Sequence, residues 1–290
     1  MDKRSFLGEF LGTFILTLFG CSSVACAVLF GEYGSIFQVG LVWGLAVTLA
    51  VYMTRYLSCA HLNPAVSVAM VLAGRMKAKK LPCYLVAQLL GALVAGLVLY
   101  GLFSASIAHY EQLHTIVRGT AASVDTARMF GEFYPNPGDP VAVVSMPLAI
   151  AAEAFGTFLL VLIIFCLTEG CNVGRPSEPL QPLFVGLAVS SIIFFIAPLT
   201  QAGLNPARDF GPRVVAYFCG WGQGGSAGCR RRLVLGLRAG ADRRRRAGRR
   251  ILPFCLGSNV GGQEQRGRML LQIAGAPGGF FQRNITCQIK

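Results

Sequence analysis

The chain has 290 residues, of which 54% are hydrophobic and only 13% charged. A soluble domain carries about 25% charged residues, so a water-exposed globule is excluded and a bilayer is the implied solvent. The formal charge of +13 suggests a nucleic-acid partner, but residues 1–223 hold 12 Lys+Arg against 11 Asp+Glu, while residues 224–290 hold 14 against 2. The chain therefore reads as a nearly neutral apolar body, with no nucleic-acid partner, followed by a basic tail.

A membrane helix needs about 20 mostly apolar residues. In chain order the predicted spans are 6–30, 37–57, 81–104, 141–168 and 179–198. The first run is too long for the apolar core of a signal peptide and reads as a span. Shorter apolar runs, each about half a span, begin at Asn63 and Asn205. A mixed connector, 105–140, separates the third and fourth spans. Of the ten cysteines, Cys21, Cys26, Cys83 and Cys166 lie inside apolar segments and no Cys-x-x-Cys pair occurs. They read as small buried hydrophobes, and no metal or cofactor is expected.

The two halves of the body echo each other. "GEFLGTF" (Gly8 to Phe14) opens the first span and "AEAFGTF" (Ala152 to Phe158) lies in the fourth. Each box precedes an Asn-Pro-Ala triplet by nearly the same distance: Asn63, Pro64 and Ala65 in one half, Asn205, Pro206 and Ala207 in the other. The predicted organisation is repeat one over 4–104, the connector 105–140 and repeat two over 141–223. Three spans per half make the second copy inverted in the membrane. A sixth span is then required after Gly220, and the sequence does not supply it.

Lys3 and Arg4 precede the first span, and Arg75, Lys77, Lys79 and Lys80 precede the third. The positive-inside rule puts both clusters, and the N-terminus, on the cytoplasmic side. Asn is a preferred N-cap and Pro a preferred first helical residue, so each triplet starts a helix. Two half-helices entering from opposite faces meet N-terminus to N-terminus, and their dipoles place partial positive charge at mid-membrane. Irregular backbone at that depth lines a cavity. The expected result is a narrow pore with asparagine amides free to donate and a centre that repels cations.

These boxes and triplets resemble the major intrinsic protein family, the aquaporins and glycerol facilitators, over residues 4–220. The resemblance implies an all-α membrane protein, an inverted-repeat helical bundle with two re-entrant half-helices. It implies a selectivity filter at Trp43, Ile193, Ala202 and Arg208, in which a His and a second aromatic are both absent. Asp209 and Arg213, in "RDFGPR", resemble the glycerol-conducting branch. By the same resemblance, backbone carbonyls of Cys59, Ala60, His61 and Leu62, and of Gln201, Ala202, Gly203 and Leu204, line the pore. His61 also reads as a structural histidine. Glu9 and Glu153, intramembrane carboxylates and so functional by default, support the re-entrant loops. The implied protein is a passive channel for water and small neutral solutes, glycerol foremost. It is a homotetramer in membrane lipid, in a prokaryotic inner membrane, without catalytic residues. A secondary transporter with inverted repeats is the alternative, and only Glu9 and Glu153 could couple an ion in it.

The segment Gly220 to Arg250 carries ten arginines and no lysine where a sixth span belongs. Residues 224–290 read either as translation in a shifted frame or as a polybasic tail for anionic lipid or nucleic acid. After five spans the tail would emerge outside, against the positive-inside rule, which favours the shifted frame. Lacking a sixth span, the chain is expected to insert poorly.

Overall fold

A computed structural model describes residues 2–222. The expectations for residues 224–290, both the tail and its frame, lie outside the described residues. The described elements are helices α1 (Lys3–Phe30), α2 (Ile36–Ser58), α3 (Pro64–Leu72), α4 (Leu81–Leu113), α5 (Val124–Ala127), α6 (Met146–Thr168), α7 (Gln181–Thr200) and α8 (Pro206–Ala216), then a π-helical turn, Tyr217–Trp221. Among the described residues five helices are long and apolar enough to cross a membrane, α1, α2, α4, α6 and α7. The short α3 and α8 grow from the two Asn-Pro-Ala triplets.

Helix boundaries follow local chemistry. Asp2 caps α1, accepting from the Arg4 and Ser5 amides and from the Ser5 hydroxyl. The Ser5 contacts hold the Asp2 carboxyl below its ordinary value. Gly31, at φ 66°, ends the helix in the left-handed conformation glycine adopts without strain. The third predicted span, 81–104, continues to Leu113. Hydropathy falls there, but no Gly or Pro interrupts residues 102–113, so the helix runs on out of the apolar zone. The fourth span begins at Met146 instead of 141, because Ser145 caps it and a proline sits in its first turn.

Small residues let the helices approach, the usual route to contact where lipid offers no hydrophobic drive. Gly44 of α2 faces Gly186 of α7, and a Cβ on Gly44 would lie 2.6 Å from the Gly186 carbonyl oxygen. Beside this crossing Thr48 donates to the Pro182 carbonyl (3.4 Å) and Ser190 to the Gly40 carbonyl (2.9 Å). Gly40 with Pro182, Gly44 with Gly186 and Thr48 with Ser190 each stand at the same sequence offset as Asn63 with Asn205. The internal two-fold therefore runs through the α2–α7 crossing. On the other flank, Gly211 of α8 lies against the Ala92 backbone of α4.

The outer faces are apolar, as lipid contact requires: Met53 is 64% exposed and Leu102 70%. This corrects the reading of the cysteines. Cys21 is buried, but Cys26 and Cys83 are partly exposed and Cys166 is exposed. In a membrane segment apolar composition reports lipid as well as protein, so it does not imply burial.

The connector is tied down. Arg118 donates to Glu111 (2.7 Å), to the Tyr100 hydroxyl (3.1 Å) and to the Cys219 carbonyl (2.9 Å). Its guanidinium lies 4.0 Å over the Trp221 ring. Trp221, fully buried, donates to Thr126 (2.9 Å), which donates to Glu111 (2.8 Å).

Candidate functional site: a junction of two half-helices

After α2 and after α7 the chain turns back through matched loops. Cys59, Ala60 and Leu62 have φ of 71°, 50° and 54°, and Gln201, Ala202 and Leu204 have 62°, 58° and 52°. None is glycine, and the left-handed conformation costs an ordinary residue roughly 1–2 kcal/mol. The same strain at the same three places in both loops is held by the surrounding structure, which is the pattern of a functional site.

Carboxylates hold the loops. Glu9 accepts from the amides of His61 (2.9 Å) and Leu62 (2.7 Å) and from the Gln88 side chain (2.7 Å). Glu153 accepts from the amides of Gly203 (3.0 Å) and Leu204 (3.1 Å) and from the Thr200 hydroxyl. Both carboxylates are thus committed to backbone amides in the loop of their own repeat. Gln88 also donates to Ser67 (2.9 Å), whose hydroxyl meets His61 Nδ1 (3.2 Å). Tyr84 donates to the Ser58 carbonyl, and its ring lies tilted against that of His61.

The asparagines join the halves. Asn63 caps α3, its oxygen accepting from Ala65 (2.8 Å), and its Nδ2 donates to the Leu204 carbonyl (2.9 Å). Asn205 caps α8, accepting from Ala207 (3.0 Å) and Arg208 (3.3 Å), and its Nδ2 donates to the Leu62 carbonyl (2.8 Å). The bonds cross, so each half-helix start is fastened to the loop of the other. Each asparagine amide was expected to be free to donate; one of its two hydrogens is spent on the opposite loop. The Leu62 and Leu204 carbonyls accept those hydrogens, because the two loops come within hydrogen-bond reach, and each keeps a second lone pair. The Gly203 carbonyl likewise accepts from the Asn205 amide. The carbonyls of Cys59, Ala60, His61 and Gln201 sit in the same strained turns.

At one side of the junction the Arg208 guanidinium lies 4.0 Å over the Trp43 ring. Both side chains are buried. Ile193 is buried against Gly40, one turn before Trp43 on α2, and Ala202 is buried in the second loop. Arg208 forms an ion pair with Glu132 of the connector, itself buried. Asp209 accepts from the Glu132 amide (2.7 Å) and from Arg213 Nε (2.9 Å), while Arg213 donates to the Glu132 carbonyl. Asp209 and Arg213 thereby clamp the connector backbone at one residue.

Sequence reasoning missed Glu132, Gln88 and Thr200. Gln88, a polar side chain within an apolar run, carried a readable signal. Glu132 did not, since Asp125 and Asp139 stand in the same connector with equal claim.

Two opposed half-helices, meeting at capped N-termini inside a bundle of apolar helices, define a membrane channel. Residues 1–222 match the profile of the major intrinsic protein family. The chain is 40% identical over 221 residues to the glycerol uptake facilitator protein of Haemophilus influenzae, covering 76% of this chain and 81% of that one. It is 36% identical over 220 residues to the propanediol uptake facilitator of Citrobacter freundii, covering 76% and 79%. The X-ray structure of the aquaglyceroporin from Plasmodium falciparum matches with a TM-score of 0.66 at 30% identity, covering 77% of this chain and 85% of that one. The chain belongs to the major intrinsic protein family.

Proposed function

We propose that the chain is a passive pore for glycerol and other small neutral polyols, with water following. Trp43, Ile193, Ala202 and Arg208 form its filter, and the Asn63–Asn205 junction is its ion barrier. The crossed asparagine bonds carry this reading. They hold two helix N-termini, each a focus of partial positive charge, at one point of the path, with a remaining amide hydrogen on each to offer a hydroxyl. A solute bearing adjacent hydroxyls on an alkyl chain suits donors on one side and apolar wall on the other. The glycerol and propanediol facilitators among the relatives support the same substrate class.

In this reading the N-terminus is cytoplasmic, the host membrane is a bacterial inner membrane and the assembly is a homotetramer. Glu9 and Glu153 act as loop supports. A coupled transporter would need one of these carboxylates to change partners, and both already accept several hydrogens. The test is glycerol uptake by proteoliposomes, normalised to inserted protein. Uptake is expected to rise linearly with concentration and to ignore a proton uncoupler. Saturable, uncoupler-sensitive uptake would establish the transporter instead.

A further inference from the structure

We infer that Glu132 sets the charge and the geometry of the filter, acting as a positioning residue for Arg208 and as an acceptor for the passing solute. The inference rests on the filter assignment proposed above. Glu132 belongs to the connector, outside both repeats, yet its backbone is fixed at both ends by α8. Asp209 accepts from its amide and Arg213 donates to its carbonyl. The next residue is latched too: the Phe133 amide donates to the Gln201 side chain (2.9 Å), and Arg213 covers the Phe133 ring at 4.6 Å. Gly131 makes room for this, since a Cβ there would lie 2.6 Å from Arg213 Cγ.

So held, the Glu132 side chain reaches inward beside Gly203 and pairs with Arg208. Two consequences follow. The guanidinium is pinned between a carboxylate and the Trp43 face, where the ring quadrupole also favours a cation. The constriction then carries a balanced pair instead of a lone positive charge, in a site where unit charges act strongly. Ion exclusion is thereby left to the asparagine junction. The second oxygen, Glu132 Oε2, is buried and has no partner among the described residues. A buried acceptor without a partner calls for an explanation. A hydroxyl of a polyol, bonded at its neighbouring hydroxyl by Arg208, supplies one. The solute class is a small neutral diol or triol.

The chain has two tryptophans, so Trp221→Phe leaves Trp43 as its single reporter. Quenching of Trp43 by iodide and by caesium is compared in the full chain in liposomes. Glu132→Gln leaves Arg208 uncompensated and is expected to raise the iodide-to-caesium quenching ratio at least twofold. Glu132→Asp, which keeps the charge, is expected to stay near the parent. The double change Glu132→Gln with Arg208→Gln removes both charges and is expected to restore the parental ratio. It also serves where the single variant does not fold, since folding of the double alone would itself report the pair. An unchanged ratio in Glu132→Gln, or a double variant that folds no better than a single variant that fails, overturns the inference. Glycerol and water permeability are read on the same vesicles. In Glu132→Gln the glycerol-to-water ratio is expected to fall severalfold. A shifted quenching ratio with no glycerol flux in any variant would sink the glycerol pore while leaving the Glu132–Arg208 pair standing.

Discussion

Asn63 and Asn205 each cap a half-helix and fasten the opposite loop, and in the proposed pore each also offers a donor to the solute. Replacement by Asp keeps the cap but puts a fixed negative charge against the two helix N-termini. Asn63→Asp or Asn205→Asp is expected to raise cation and proton leak in liposomes while glycerol swelling persists; unchanged leak in both would remove the asparagines from ion exclusion. The proposed filter would separate substrates by size and polarity. Ala202→Phe with Ile193→Gly, which supplies a second aromatic and opens room opposite it, is expected to raise the glycerol-to-water permeability ratio. Ile193→His with Trp43→Phe is expected to lower it. If neither pair moves the ratio, residues 193 and 202 do not face the solute. The residue types of the junction were legible because Asn and Pro are preferred at helix starts and a carboxylate inside a membrane marks function by default. Their bonding was not: only folding brings Leu62 and Leu204 to the asparagine amides, and only the α8 clamp brings Glu132 to Arg208.

Helices α1, α2, α4, α6 and α7 were legible as apolar runs, and α3 and α8 as capped half-runs. The ends were less so, since α4 continues nine residues past its apolar stretch and α5 has no hydrophobic signature at all. The extension of α4 has a use. It carries Glu111 to Arg118, and that pair holds the connector against Trp221. Truncating a fully buried tryptophan costs about 3–5 kcal/mol, so Trp221→Ala is expected to lower the melting temperature in detergent strongly, while Trp221→Phe lowers it mildly. Equal, small shifts would show that the cluster does not hold the connector. Repeat one and repeat two are also buttressed unequally. The Glu9 carboxylate gains a hydrogen from Gln88 of α4, whereas Glu153 takes its third from Thr200 of α7. The inverted repeat explains this: the partner of α4 belongs to a sixth helix, and the described residues include none.

The internal two-fold makes that asymmetry a testable matter of the whole chain. α1 packs on both α2 and α4, while α6 packs chiefly on α7 and shows Phe155 and Phe158 outward. Backbone left to lipid costs several kcal/mol per unpaired group, so a helix against α6 and α3 would protect the second loop. Shifting the reading frame near the codons for Gly220–Gly228 is expected to reveal about 20 apolar residues, and the shifted chain is expected to insert and to form tetramers in higher yield. A gene with no apolar span in either other frame would refute this. The charge asymmetry between body and tail was legible in the sequence; the expected sixth helix falls on residues that lie outside the described ones. What the pore does is decided by one experiment: glycerol swelling and proton leak recorded together on the same proteoliposomes, per inserted protein. A passive pore with this junction predicts glycerol flux that is linear in concentration and insensitive to an uncoupler, with proton leak at the level of empty vesicles. Flux that saturates and collapses with the proton gradient would contradict it.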